Sequence, residues 1–178
     1  LRGRLSPEEM QEMDDYAASL GIELVPCIQT LGHLEQFLQW YENHPLRDQP
    51  AVLMADDEKT YDFIEAEIRA VRKAFRGKRL HIGMDEAHDM GRGAFLDKNG
   101  YVPRAEIFHE YMAEVVKITD KYGLKPMMWS DMFFHLASED KKLPPEILRQ
   151  VPEGVELVYW AYREKEQQHY DENITAHK

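Results

Sequence analysis

A single cysteine, Cys27, stands among 178 residues, so the chain can form no internal disulfide. No apolar run approaches the roughly 18 residues of a membrane-spanning helix, and no membrane association is expected. Positive charge is also in short supply: 22 Lys and Arg face 33 Asp and Glu, a formal net charge of -11. A chain so acidic repels a phosphate backbone or an anionic lipid surface, which argues against nucleic-acid partners. Glycine-rich phosphate loops after strand-like segments are missing, and dinucleotide and P-loop folds lose weight accordingly. The opening residues Leu1-Arg2-Gly3-Arg4 hold neither an initiator methionine nor a signal-like apolar stretch, so an export signal is unread, with a cytoplasmic location slightly favoured. What remains is a soluble, disulfide-free chain long enough to bury a sizeable core.

Present instead is a grammar repeated four times: an amphipathic helix, a glycine stop, a short apolar strand, then polar or aromatic residues. Ser6 is the expected N-cap of a first helix, Pro7 suits its first turn, and Met10, Met13, Ala17 and Leu20 form its apolar stripe. Gly21 ends it, and residues 22–30 read as a strand. A second helix over 60–75 directs Phe63, Ile64, Ala66, Ile68 and Val71 inward; Gly77 stops it before a strand over 79–84. The third, over 104–122, buries Ile107, Phe108, Tyr111, Met112, Val115 and Ile118, and Gly123 precedes a strand over 125–130. A short helix over 145–150 and a strand over 155–161 complete the series. Trp40, Tyr41 and the nine methionines are assigned to helix packing and core filling, and the charged cluster 164–166 to a solvated helix surface.

Strands alternating with helices of ten or more residues imply a parallel sheet, either barrel or doubly wound. Each strand ends in residues able to do chemistry: Gln29 and His33, Asp85 and Glu86, Trp129 and Asp131, Trp160 and Tyr162. That favours a barrel, whose active site is assembled from the C-terminal ends of several strands. The long segments 41–50, 87–102 and 132–144 all follow strands, which sets the elaborated loops on the same end. A closed (β/α)8 barrel typically needs about 250 residues, and only four strands are readable. The expected architecture is therefore an α/β fold, a partial (β/α)8 TIM barrel, with residues 1–178 inside one catalytic domain and no internal boundary. Expressed alone, four such strands would leave two unpaired edges, and aggregation or inactivity is expected.

His81-Ile82-Gly83-Met84-Asp85-Glu86 is the sharpest constellation. Two adjacent carboxylates in a confined site do not both ionise cheaply, so one is suited to keep a proton and act as a general acid. The competing reading is an acidic loop facing water. Neighbouring residues on an extended strand point to opposite faces, so both reach one pocket only if the strand ends or twists here.

This motif resembles the His-x-Gly-x-Asp-Glu signature of glycoside hydrolase family 20, the β-N-acetylhexosaminidases, with Met84 where a second glycine is more usual. Leu31-Gly32-His33 is similar to that family's Pro-Gly-His turn, with Leu31 in place of proline. Trp129-Ser130-Asp131 and Val158-Tyr159-Trp160 resemble the ends of its fifth and sixth strands. The combination looks most like the branch of single-barrel bacterial exo-hexosaminidases and hexosaminidase D, and it spans about strands 3 to 6 of the barrel.

The resemblance implies substrate-assisted hydrolysis, an exception to the two-carboxylate scheme: the sugar's 2-acetamido oxygen attacks C1 and forms an oxazolinium. In that scheme Glu86 is the general acid/base and Asp85 orients the acetamido group and stabilises its developing charge. His33 is read as a partner of Glu86, with capping of the following helix as the alternative. Trp129 and Trp160 suit the apolar faces of a sugar ring, or a core. Asp131 binds a sugar hydroxyl, supports Trp129 or caps a loop; Tyr162 and His88 are weaker candidates, and His81 reads as scaffold. The partner implied is a small-molecule or glycan substrate with a terminal β-N-acetylhexosamine, with no cofactor or metal, and homo-oligomerisation is left open. Two other classes stand beside it. One is a metal-dependent barrel hydrolase using His81, Asp85, His88, Asp89 and His135. The other is a non-catalytic sugar-binding fragment. The aspartate that usually stands behind the family histidine, an arginine and a tyrosine belong to strands not represented here.

Overall fold

A computed structural model of the chain describes residues 3–133, 150–162 and 166–177. The first helix, α1 (Pro7–Ser19), begins at a reciprocal capping box: Glu9 N–H donates to Ser6 Oγ at 3.1 Å, and Ser6 N–H donates to the Glu9 carboxylate at 2.6 Å. At its other end Gly21 N–H and Ile22 N–H donate to the carbonyls of Ala18 and Ala17. Its buried face departs from the expected stripe. Asp14 and Ala17 are buried, whereas Met13 and Leu20 are 51% and 58% exposed. The cause is Arg76, whose backbone N–H and Nε both donate to Asp14 Oδ2, at 3.1 and 2.7 Å. A carboxylate so paired can occupy an inward face, and apolar periodicity does not register it.

Residues 22–30 form no ladder strand. They pair with β3 through one bridge, Cys27 to His81, in which His81 N–H donates to the Pro26 carbonyl and Ile28 N–H to the His81 carbonyl, both at 2.9 Å, and beyond it Thr30 N–H donates to the Ile82 carbonyl at 3.2 Å. Pro26 turns its carbonyl toward the neighbouring strand but has no N–H to give it, which halts the ladder there. After the short α2 (Glu35–Leu38), the segment 41–50 is more regular than a loop. A 3-10 turn (Tyr41–Leu46) leads into an antiparallel hairpin of β1 (Arg47–Gln49) and β2 (Val52–Leu53). Trp40 and Tyr41 are 61% and 82% exposed, so they do not pack the core as expected; Met54, Met84, Met90, Met112, Met128 and Met132 do.

Helix α3 (Glu58–Ala74) is capped by Asp57 and buries Thr60, Ile64, Ile68 and Ala74; Ala66, expected inward, is exposed. A three-stranded parallel sheet follows in the order β3 (Arg79–His81), β4 (Lys125–Trp129), β5 (Glu156–Val158), with His81 opposite Met127 and Trp129 opposite Val158. Between β3 and β4 come α4 (Ala94–Asn99) and α5 (Arg104–Lys121), the latter burying Ile107, Phe108, Tyr111, Met112 and Val115. A last helix, α6 (Gln167–Ala176), follows β5, with the exposed Glu166 at its N-cap. The expected helix over 145–150 lies outside the described residues except for Gln150, which sits in a turn.

Strand alternation divides the sheet into two faces. Leu80, Ile82 and Met128 turn into one core with Ile64, Ile68, Phe108, Met112 and Val115. Arg79, His81 and Trp129 turn the other way, where Arg79 Nη2 pairs with Glu23 Oε2 at 2.7 Å and His81 meets Cys27 and Trp129. Asp85 and Glu86 follow β3, and Asp131 follows β4, at the C-terminal end of this sheet.

Candidate active site

Beyond His81 the chain leaves the sheet through residues in left-handed backbone: Gly83, Met84 and Glu86 have φ of +70°, +69° and +48°. For Met84 and Glu86 this costs roughly 1–2 kcal/mol each. Its consequence is that two consecutive carboxylates, which a regular strand would send to opposite faces, point to one place. His33 Nε2 lies 3.0 Å from Asp85 Oδ2 and 3.4 Å from Glu86 Oε2. His33 follows Gly32, where a side chain has no room: a Cβ there would stand 2.5 Å from the Asp85 carbonyl oxygen. The two loops therefore meet backbone to backbone. The N-cap of α2 is Leu34 and no side chain caps the helix, so His33 is not its cap.

Asp85 Oδ1 accepts a second hydrogen bond, from Gln29 Nε2 at 3.1 Å, so both of its oxygens are engaged. The Asp85 side chain is 15% exposed and that of Glu86 44%, the latter open to an incoming molecule. Asp131, just after β4, is buried. Its Oδ2 accepts the Glu86 backbone N–H at 3.0 Å and its Oδ1 lies 3.5 Å from Trp160 Nε1. Burial pushes the Asp131 carboxyl up from the ordinary carboxylate range; the bond from Glu86 opposes this and the charge of Asp85 adds to it. Asp131 thus ties the backbone of the carboxylate pair to the end of β5.

Trp129 lies half-buried against the buried His81, ring centroids 4.4 Å apart and 54° inclined. His81 Nδ1 accepts the Gly83 N–H at 3.1 Å, which assigns its proton to Nε2. Burial pushes its pKa down, against an opposing pull from Asp85. The Tyr162 ring sits 5.1 Å from that of Trp160 and is 88% exposed. His88 is exposed; its N–H donates to the Glu86 carbonyl at 2.8 Å and its carbonyl accepts from Arg104 Nη1. Among the described residues no group of three His, Cys, Asp or Glu is arranged to hold a metal ion, and His135 lies outside them.

The sequence sets Gln29 among the strand-end residues able to do chemistry but gives it no partner; its position two residues past Cys27, on the same alternating face, is the signal that places it. Wholly hidden in the sequence is the buried Asp48 of β1, which accepts N–H bonds from Gly91, Gly93 and Phe95 at 2.6, 3.1 and 2.9 Å. It fastens the loop leaving Glu86 to the β1–β2 hairpin, and nothing near Asp48 in sequence announces it.

Comparison with known proteins gives this geometry its context. Residues 1–175 match the model of the glycosyl hydrolase family 20 catalytic domain. Hexosaminidase D of Bos taurus is 28% identical over 169 residues, which cover 88% of this chain and 46% of that protein. The chain thus spans about half the length of this curated relative. Among solved structures, the N-acetyl-β-hexosaminidase of Streptomyces plicatus in complex with thio-NAglucal superposes with a TM-score of 0.64 at 26% identity, over 97% of this chain and 31% of that one. The β-N-acetylhexosaminidase of Bacteroides fragilis gives 0.69 at 24% identity, over 98% and 33%. The parallel sheet with its strand-end site is accordingly part of a TIM-barrel catalytic domain. The chain belongs to glycosyl hydrolase family 20.

Proposed function

We propose that the protein carrying this chain removes terminal, non-reducing β-linked N-acetylglucosamine or N-acetylgalactosamine with retention of configuration, the substrate's own 2-acetamido group serving as nucleophile. The observation that carries this reading is the gathering of Asp85 and Glu86 on the single His33 Nε2. Asp85, held by donors on both oxygens, accepts the acetamide N–H, aims its carbonyl oxygen at C1 and stabilises the positive charge that grows on nitrogen as the oxazolinium forms. Glu86, more open, protonates the departing glycosidic oxygen and then removes a proton from the water that opens the ring. His33 stands where it can follow that proton, being in reach of Glu86 Oε2.

Around the pair, Trp129 and Trp160 supply apolar faces for the sugar and the acetamide methyl, and Asp131 positions Glu86 and Trp160. Tyr162 and His88 stand at the open rim. The relative from Streptomyces plicatus binds thio-NAglucal, and this chain is 26% identical to it, which supports a carbohydrate substrate here. Residues 22–30, β3, β4 and β5 then correspond to strands 3 to 6 of the barrel, within one catalytic domain. The route needs no cofactor. Cleavage of aryl β-N-acetylhexosaminides should exceed that of aryl β-glucosides by several orders of magnitude in the full-length protein. Equal cleavage of both would remove the acetamido mechanism.

A further inference from the structure

We infer that Gln29 is a positioning residue for Asp85, a neutral donor that keeps Asp85 Oδ1 an acceptor throughout turnover while Oδ2 meets the substrate's acetamido N–H. The inference rests on the proposed function and gives a role in turnover to a residue that it does not name.

Three observations lead there. Gln29 Nε2 donates to Asp85 Oδ1 at 3.1 Å from a residue 56 positions earlier in the chain. The amide lies directly over Gly83, where a Cβ would come within 2.0 Å of Gln29 Oε1 and 2.7 Å of its Cδ, so the missing side chain in the motif is the space that the amide fills. Gln29 Oε1 is buried without a partner among the described residues, and turning the amide over would set that oxygen against the carboxylate. His33 Nε2 carries at most one proton for two carboxylates, 3.0 and 3.4 Å away. Whenever that proton serves Glu86, Gln29 remains the side-chain donor on Asp85. An amide neither takes nor gives up a proton in the working range, so its support does not lapse between the acid and base halves of the cycle.

Asp85 is also faced by Glu86 and His33, by His81 and Cys27 on the inner face of the sheet, and by Asp131 after β4. A carboxylate at position 29 would join this group as a further acid directly against Asp85. It can imitate the amide only while protonated.

The test uses Gln29→Met, nearly isosteric but without a donor, and Gln29→Glu in the full-length protein. An aryl β-N-acetylglucosaminide is assayed from pH 5 to pH 8, with circular dichroism at each pH. For Gln29→Met, kcat should fall about 10- to 100-fold at every pH with KM changed less than about threefold. For Gln29→Glu, activity relative to wild type should approach unity near pH 5 and fall by about tenfold or more toward pH 8. Gln29→Met within about threefold of wild type, or a Gln29→Glu ratio flat with pH, overturns the inference. Failure of both variants to fold does so too, since it makes the role purely structural; if only Gln29→Glu fails, Gln29→Met decides. A wild type indifferent to the 2-acetamido group overturns the proposed function and this inference together, whereas an acetamido-selective wild type with a flat ratio overturns this inference alone.

Discussion

Asp85 receives a hydrogen bond from Gln29 and stands closer than Glu86 to His33, and Glu86 is the more open of the pair. That asymmetry suits one to hold and the other to transfer a proton. Glu86→Gln should lose roughly 10²- to 10⁴-fold on poor leaving groups and much less on activated aryl ones, while Asp85→Asn should lose comparably on both; a leaving-group series in kcat/KM checks this. Asp131→Ala frees the Glu86 N–H and Trp160 Nε1, and kcat should drop about 10- to 100-fold, the worth of a charge-assisted hydrogen bond. Steady-state kinetics beside circular dichroism would show whether the loss comes without unfolding. At this scale Asp85 and Glu86 were legible because one contiguous motif carries them, and His33 because it ends a second, Leu31-Gly32-His33; the structure brings the three together. Gln29 was legible only as a polar strand-end residue, since its bond to Asp85 spans 56 positions.

Among the elements, the hairpin β1–β2 does most that the sequence concealed. Asp48 takes three backbone N–H bonds from the loop that leaves the carboxylate pair. Asp48→Asn leaves Gly91 N–H facing an amide donor, and the amides of Gly91, Gly93 and Phe95 should exchange hydrogen at least about tenfold faster, a loss of roughly 1–3 kcal/mol in local stability. Unchanged protection at those amides would remove the anchoring role. Helices α1, α3 and α5 were readable from their periodicity, and α1 from its Ser6 and Glu9 box as well. The face of α1 was not, because a buried Asp14 held by Arg76 looks polar to any periodicity argument. Residues 22–30 read as a strand but form a single bridge, because Pro26 withholds the N–H that a longer ladder needs.

At the scale of the whole molecule, the half-buried Glu67 couples stability to pH. Glu67 sits on α3 with Oε2 lacking a partner among the described residues, and burial pushes its pKa up to about 7 from 4.5. A raised folded-state pKa gives stability that is complete below about pH 4.5 and lost as pH rises through 7, at most about 3 kcal/mol. Glu67→Gln should flatten the decline of thermal midpoint between pH 5 and pH 8; an unchanged slope would assign the decline to other groups. Alternating helices and strands made the barrel class legible, and the strand-end residues indicated which end of it gathers the candidate site. Whether the substrate's acetamido oxygen is the nucleophile is read from inhibition of the full-length protein by a thiazoline analogue of the oxazolinium, measured against free N-acetylglucosamine. Binding at least about 10²-fold tighter than the sugar is expected; a thiazoline no better than N-acetylglucosamine would contradict it.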